Sequence, residues 1–156
     1  MIHQFRVTKY DPLQRNRHGV YRRDEWTSFT DIGRTFSDEV LTQADYDAVE
    51  DAYIVSAIGF LKQTGVDTLT VCGLENTQRH ASAPDEGDVL DHIAVAGALR
   101  DVLREAYWCR FEAAHAFIHV GWDYYMYVGL ADPCLDAQQE ASRLGLFVET
   151  FNSPYR

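Results

Sequence analysis

The chain has no apolar run approaching the roughly 18 residues that would suggest a membrane span. It also lacks a basic start followed by a long apolar stretch, so neither a membrane protein nor a signal peptide is expected, and Met1–Val7 reads as a strand. Cysteine is scarce: Cys72, Cys109 and Cys134 are odd in number and far apart, with no CxxC or Cys/His metal spacing. That pattern excludes a disulfide framework and fits buried, reduced thiols in a cytoplasmic protein. No internal repeat, low-complexity tract or Pro/Gly/Ser linker divides the chain, and one domain spanning residues 1–156 is expected.

Catalytic signatures are missing as well. There is no G-x-S-x-G, no phosphate-cradling glycine loop, no H-E-x-x-H and no dinucleotide fingerprint. His115, His119, Asp123, Glu75, Asp31 and Cys109 are the available polar pieces, and none has a spacing that identifies a mechanism. The six histidines are scattered, and only His115 and His119 are close. On a strand that pair would share a face, with Glu112 near, but a satisfied structural histidine is the plainer reading of His119. No metal and no cofactor are expected.

What is present belongs to an ordinary folded chain. A composition of 46% hydrophobic and 24% charged residues argues against disorder. The net charge of −10 is uneven. Residues 1–35 carry seven Lys/Arg against four Asp/Glu, whereas residues 36–108 carry four against fourteen. Phosphate backbones would be repelled by such a chain, so nucleic acid is not an expected partner; a basic protein, steered in by the field, is.

Periodicity and capping give the elements. A strand over about residues 2–10 leads into a poorly periodic segment over 11–40, which holds Trp26 and Asp31 and could fold over the sheet as a lid. Thr42 and Asp45 form a capping box flanked by a Leu41–Tyr46 staple. A helical stripe follows through Tyr46, Val49, Tyr53, Ala57, Phe60 and Leu61, closed by Gly65. Residues 66–74 have strand composition, and Glu75-Asn76 lie at a strand-to-loop edge where ligand groups are often placed. A second helix is predicted over about 88–105 with Val89, Ile93, Ala96, Leu99 and Leu103 inward and Val102 as a further candidate. Two or three antiparallel strands are predicted within 107–129, with turns near Ala114-His115 and Gly121-Trp122-Asp123. A third helix is predicted from an Asp132 cap and Pro133 to Gly145, then a strand over 146–151. The expected fold is α+β, about three helices on a mainly antiparallel sheet.

The stretch Trp122-Asp123-Tyr124-Tyr125-Met126-Tyr127 is the most unusual. As a strand it would put Tyr125 and Tyr127 on one face and Tyr124 and Met126 on the other. Either both faces are covered or one is a binding surface, for which tyrosine and tryptophan are well suited. Core and rim packing is the plainer alternative, with Asp123 a turn former.

The segments Asp24-Glu25-Trp26-Thr27-Ser28-Phe29-Thr30-Asp31-Ile32-Gly33 and Gly121–Tyr127, with the closing Ser153-Pro154-Tyr155, resemble small bacterial proteins. Some of these are similar to the immunity proteins of polymorphic toxin systems. The resemblance implies a cytosolic, acidic inhibitor that occludes a toxin. The leading expectation is therefore a protein-binding module of this type. The first alternative is a small enzyme or ligand-binding protein with a pocket between the N-terminal segment and the aromatic strands, using Asp31, Glu75, His119 or Asp123. The second is a homodimer formed through the aromatic face.

Overall fold

Phe5 and Val7 alternate with the more polar Gln4 and Arg6, and this period of two makes the first segment a strand with one face inward. The computed structural model describes residues 2–155. That strand, β1 (His3–Thr8), sits near one edge of a seven-stranded sheet. The other strands are β4 (Thr68–Glu75), β5 (Val89–Asp91), β6 (Trp108–Ala113), β7 (Ala116–Val120), β8 (Met126–Leu130) and β9 (Phe147–Thr150). Their order is β5-β4-β6-β7-β8-β1-β9, and every pairing is antiparallel. A separate two-stranded ribbon, β2 (Thr35–Phe36) with β3 (Glu39–Val40), lies in the N-terminal segment. Its two turn residues, Ser37 and Asp38, have positive φ, the geometry that suits a tight hairpin.

Three helices pack on this sheet: α1 (Gln43–Thr64), α2 (His92–Leu103) and α3 (Leu135–Arg143). Thr42 caps α1 by accepting the Asp45 N–H at 3.1 Å, and Gly65 ends it in the left-handed region at φ 72°. Register explains the core. Val7 pairs with Met126, Ile118 with Val128 and Phe111 with Ile118, and all of these join one cluster with Tyr53, Phe60, Leu61, Val95 and Leu99. The fold is α+β, as the element pattern predicts.

Three sequence readings differ in detail. Residues 89–91 form an edge strand on β4 and not a first helical turn, because Asp91 caps α2 by accepting the Ala94 N–H at 2.9 Å. The helical phase then buries Val95 beside the expected Leu99, Val102 and Leu103, and leaves Ile93 84% exposed and Val89 exposed. Helix α3 begins beyond Asp132 and Pro133: Cys134 holds the left-handed cap position, and its carbonyl takes the first helical bond from Gln138. The segment over 11–40 holds short 3₁₀ turns at Pro12–Gln14 and Phe29–Asp31 besides the ribbon.

On the second face of the sheet the chain's own C-terminal segment lies against β1, β6, β7 and β8. Phe151 N–H bonds Gln4 O, and Ser153 N–H bonds Gln4 Oε1 at 2.9 Å. Phe151 lies over the Arg6 guanidinium, 4.0 Å from its ring centre, while Arg6 also makes a two-bond pair with Glu149 at 3.1 Å each. Tyr155 packs against Trp108 and Tyr127.

Candidate functional site

Between β7 and β8 the chain must reverse direction, and it does so through a short 3₁₀ turn over Trp122–Tyr124. Asp123 sits at φ 60°, ψ 32° and Tyr124 at φ 66°, two consecutive non-glycine residues in the left-handed region. Such positions cost of order 1–3 kcal/mol each and persist only where the surroundings over-determine them. Here the surroundings are tyrosine hydroxyls. Tyr10 donates to the Asp123 carbonyl, and Tyr53 donates to the Tyr124 carbonyl at 2.9 Å. Gly121 N–H bonds Tyr125 O at 2.7 Å across the base of the turn, and the Tyr124 hydroxyl donates to the Tyr46 hydroxyl at 2.9 Å. Tyr124 itself is buried against Trp26, Tyr46 and Tyr53. Burial drives the Tyr53 and Tyr124 hydroxyls far above the ordinary phenol range, so both stay protonated and available as donors.

The result of this turn is Trp122, 85% exposed. It stands at the rim of a cleft of about 500 Å³ at one end of the sheet. Thr27 and Ser28 of the N-terminal segment form one lip, and Glu105 to Tyr107 after α2 form another. Glu75 and Trp108 are directly paired across β4 and β6, which places both at the cleft. A bulge between Cys72 and Glu75, where Gly73 turns to φ 64°, sets that register. The Glu86 carboxylate holds the bulge by accepting the Gly73 and Leu74 N–H groups at 3.0 and 2.8 Å. Trp108 is fixed by its indole N–H donating to Val120 O at 2.7 Å. Tyr155 closes one wall, lying so near Gly121 that a Cβ there would sit 2.7 Å from its hydroxyl.

The electrostatics of the cleft are one-sided. Glu75, Glu105 and Asp123 line it, and no Lys, Arg or His is among its described lining residues. The Glu75 and Asp123 carboxylates have no hydrogen-bond or ion-pair partner among the described residues, and Glu105 accepts only the Ser28 hydroxyl, at 3.1 Å.

The remaining sequence candidates lie elsewhere. Trp26 is buried, packed on Tyr46 and Tyr124, with the Lys9 ammonium 4.1 Å from its ring centre. Asp31 is buried and accepts the Thr27 N–H at 3.0 Å, with Arg34 at 3.4 Å. Asn76 shapes its own loop by bonding both the N–H and the C=O of His80. Tyr125 receives a hydrogen bond from Arg15 at 2.8 Å and stacks near Tyr10, and Tyr127 is buried under Phe151 and Tyr155. Of the aromatic side chains in this stretch, Trp122 is exposed, Tyr125 half-buried, and Tyr124 and Tyr127 buried. His119 is fully buried, its Nδ1 2.7 Å from Ser153 Oγ and its Nε2 3.0 Å from Glu112 Oε1. That chain of contacts fastens the C-terminal segment to the sheet. His115 sits in the exposed turn between β6 and β7. Among the described residues no group of three or more His, Cys, Asp or Glu is arranged to hold a metal ion.

Sequence reasoning did not assign Glu105, Tyr107, Trp108 or Tyr155 to a site, nor Tyr10 and Tyr53 as supports of the turn. Tyr53 was legible only as part of a helical stripe, since a hydroxyl buried within an apolar stripe needs a partner that the sequence does not name.

The chain matches no protein-family model, no characterised protein and no solved structure.

Proposed function

We propose that this chain is a protein-binding module of the immunity type, which occludes a basic partner protein through Trp122 and the cleft beside it. One observation carries the reading: a largely exposed tryptophan held on a strained turn, next to a cleft lined by three acids and, among the described residues, no base. An exposed indole is unfavourable in water, and large rigid aromatics of this kind anchor binding hot spots. Holding the turn in place before binding lowers the ordering cost of association. The net charge of −10 steers a basic partner in and makes the association rate fall as salt rises.

A pull-down of the tagged chain from its native cell lysate, washed at moderate and then high salt, tests this reading. The expected result is one stoichiometric partner that mass spectrometry identifies as basic, that high salt releases and that Trp122→Ala fails to retain. Retention of the same proteins by Trp122→Ala, or a salt-insensitive complex, would count against it.

The cleft volume favours one second reading, a small-ligand protein. Of the four polar residues expected for such a pocket, Glu75 and Asp123 line the cleft whereas Asp31 and His119 do not. A thermal-shift screen of small cationic compounds separates this reading from the first.

A further inference from the structure

Resting on the protein-binding reading, we infer that the cleft beside Trp122 receives one arginine side chain of the partner, its guanidinium stacked on the indole and paired with the cleft carboxylates. Charge complementarity selects the occupant. The walls are mostly aromatic and aliphatic, so the cleft takes an apolar stem. Glu75 and Asp123 are exposed and left without partners among the described residues, so a cationic tip on that stem complements them. A guanidinium meets both demands. It is weakly hydrated, stacks on an aromatic face and offers a planar fork of donors to carboxylates. An ammonium is a compact, strongly hydrated point charge and gains less from a broad aromatic rim. The volume of about 500 Å³ lies within the range of roughly 300–1,000 Å³ usual for ligand clefts.

The chain also carries a candidate occupant of its own. Arg17, Arg22 and Arg23 are exposed and make no ion pair among the described residues, beside the exposed Leu13 and Val20. A second copy could therefore offer an arginine to the cleft. A copy of an acidic chain, however, brings a further net charge of −10 against the same surface, which favours a foreign basic protein over self-association.

The test titrates the full chain with N-acetyl-arginine methylamide while the tryptophan indole N–H signals are followed by NMR, the Trp122 signal being assigned from Trp122→Phe. Saturable movement of that signal is expected at roughly millimolar concentrations, the scale for one side chain. The neutral citrulline analogue and the lysine analogue should each bind at least about fivefold more weakly, the ratio set by about 1 kcal/mol of cation–π and pairing energy. The double variant Glu75→Gln, Asp123→Asn should weaken the arginine analogue by a similar factor, with its melting temperature confirming an intact fold. Equal binding by citrulline or lysine, or an unmoved Trp122 signal, would overturn the inference. So would a concentration-dependent dimer dissolved by Arg17→Ala, Arg22→Ala, Arg23→Ala, which would give the cleft to a second copy. If a basic partner is captured yet the arginine analogue leaves Trp122 unmoved, the guanidinium site fails and the binding-module reading stands. If the analogue binds but no basic protein is retained, the site stands and the module reading fails.

Discussion

The hydroxyl of Tyr53, fully buried in the middle of α1, donates to the backbone carbonyl of Tyr124 at 2.9 Å and accepts the Lys9 N–H at 2.8 Å. One side chain thus ties a helix to the end of β1 and to the strained turn that exposes Trp122. Tyr53→Phe keeps the ring and removes both bonds, leaving a buried N–H and a buried C=O unsatisfied. A loss of about 1–3 kcal/mol in urea unfolding is expected. The left-handed turn also loses a tether, so amide exchange at 122–125 should quicken by more than at residues far from Tyr53. A uniform effect along the chain would show that Tyr53 supports the core and not the turn.

Trp122→Ala should separate stability from binding. With Trp122 85% exposed and no hydrogen bond to its indole among the described residues, its removal should change unfolding free energy by no more than about 0.5 kcal/mol. Partner retention should be lost all the same. A drop of several kcal/mol would mean that the indole packs against the fold in solution, and the surface-anchor reading would then fail.

Much of the fold was legible in the sequence because its signals are local. The Thr42 cap, the stripe through Tyr46, Tyr53 and Phe60 and the Gly65 stop define α1 from adjacent residues alone, and the turns near Ala114 and Trp122 fall where expected. Strand order was not legible, since β1 pairs with β8 and β9, more than a hundred residues away, and no local pattern encodes a partner at that distance. The candidate site was half legible for the same reason. Trp122, Asp123 and Glu75 were singled out from their own neighbourhoods. Trp108 and Tyr155 reach the cleft only through pairing and tail placement, and the exposure of Trp122 against the burial of Tyr124 depends on a left-handed turn that alternation in a strand does not anticipate.

Gly129 offers a sharper test of how the second sheet face is packed. A Cβ at this position would lie 2.1 Å from Cε1 of Phe117, whose ring also stacks on His119 with centres 4.2 Å apart. Gly129→Ala forces that ring away from His119 and is expected to cost about 1–3 kcal/mol. Adding Phe117→Leu should recover part of the loss. A non-additive double-mutant cycle in urea unfolding is the expected signature, and strict additivity would refute the contact as the cause.

Alkaline stability follows from groups that burial shifts in opposite senses. Desolvation lowers the Lys9 ammonium from 10.5 to about 8, its pair with Glu25 only partly compensating. A lysine depressed in the folded state burdens it while charged, and the burden is relieved as pH rises from about 8 towards 10.5, where the unfolded chain still holds the proton. The Cys109 thiol runs the other way: burial pushes it from 9.0 up to about 12, so its contribution is lost as pH climbs past about 9. Tyr10, Tyr46, Tyr53 and Tyr124 are raised by burial too, and what they contribute below pH 10 is lost above it. Stability should therefore hold to about pH 9 and fall with increasing slope beyond pH 10. Lys9→Met isolates the lysine. Relative to this variant the native chain should gain stability between pH 8 and 10.5, by on the order of 3 kcal/mol in all, because the folded chain gives up the lysine proton near 8 and the unfolded chain near 10.5. Urea unfolding of both chains at half-unit steps from pH 7 to 11 reads this difference. A gap that stays constant across the window would mean that Lys9 titrates normally in the folded protein, held by Glu25 and the Trp26 ring strongly enough to cancel its burial.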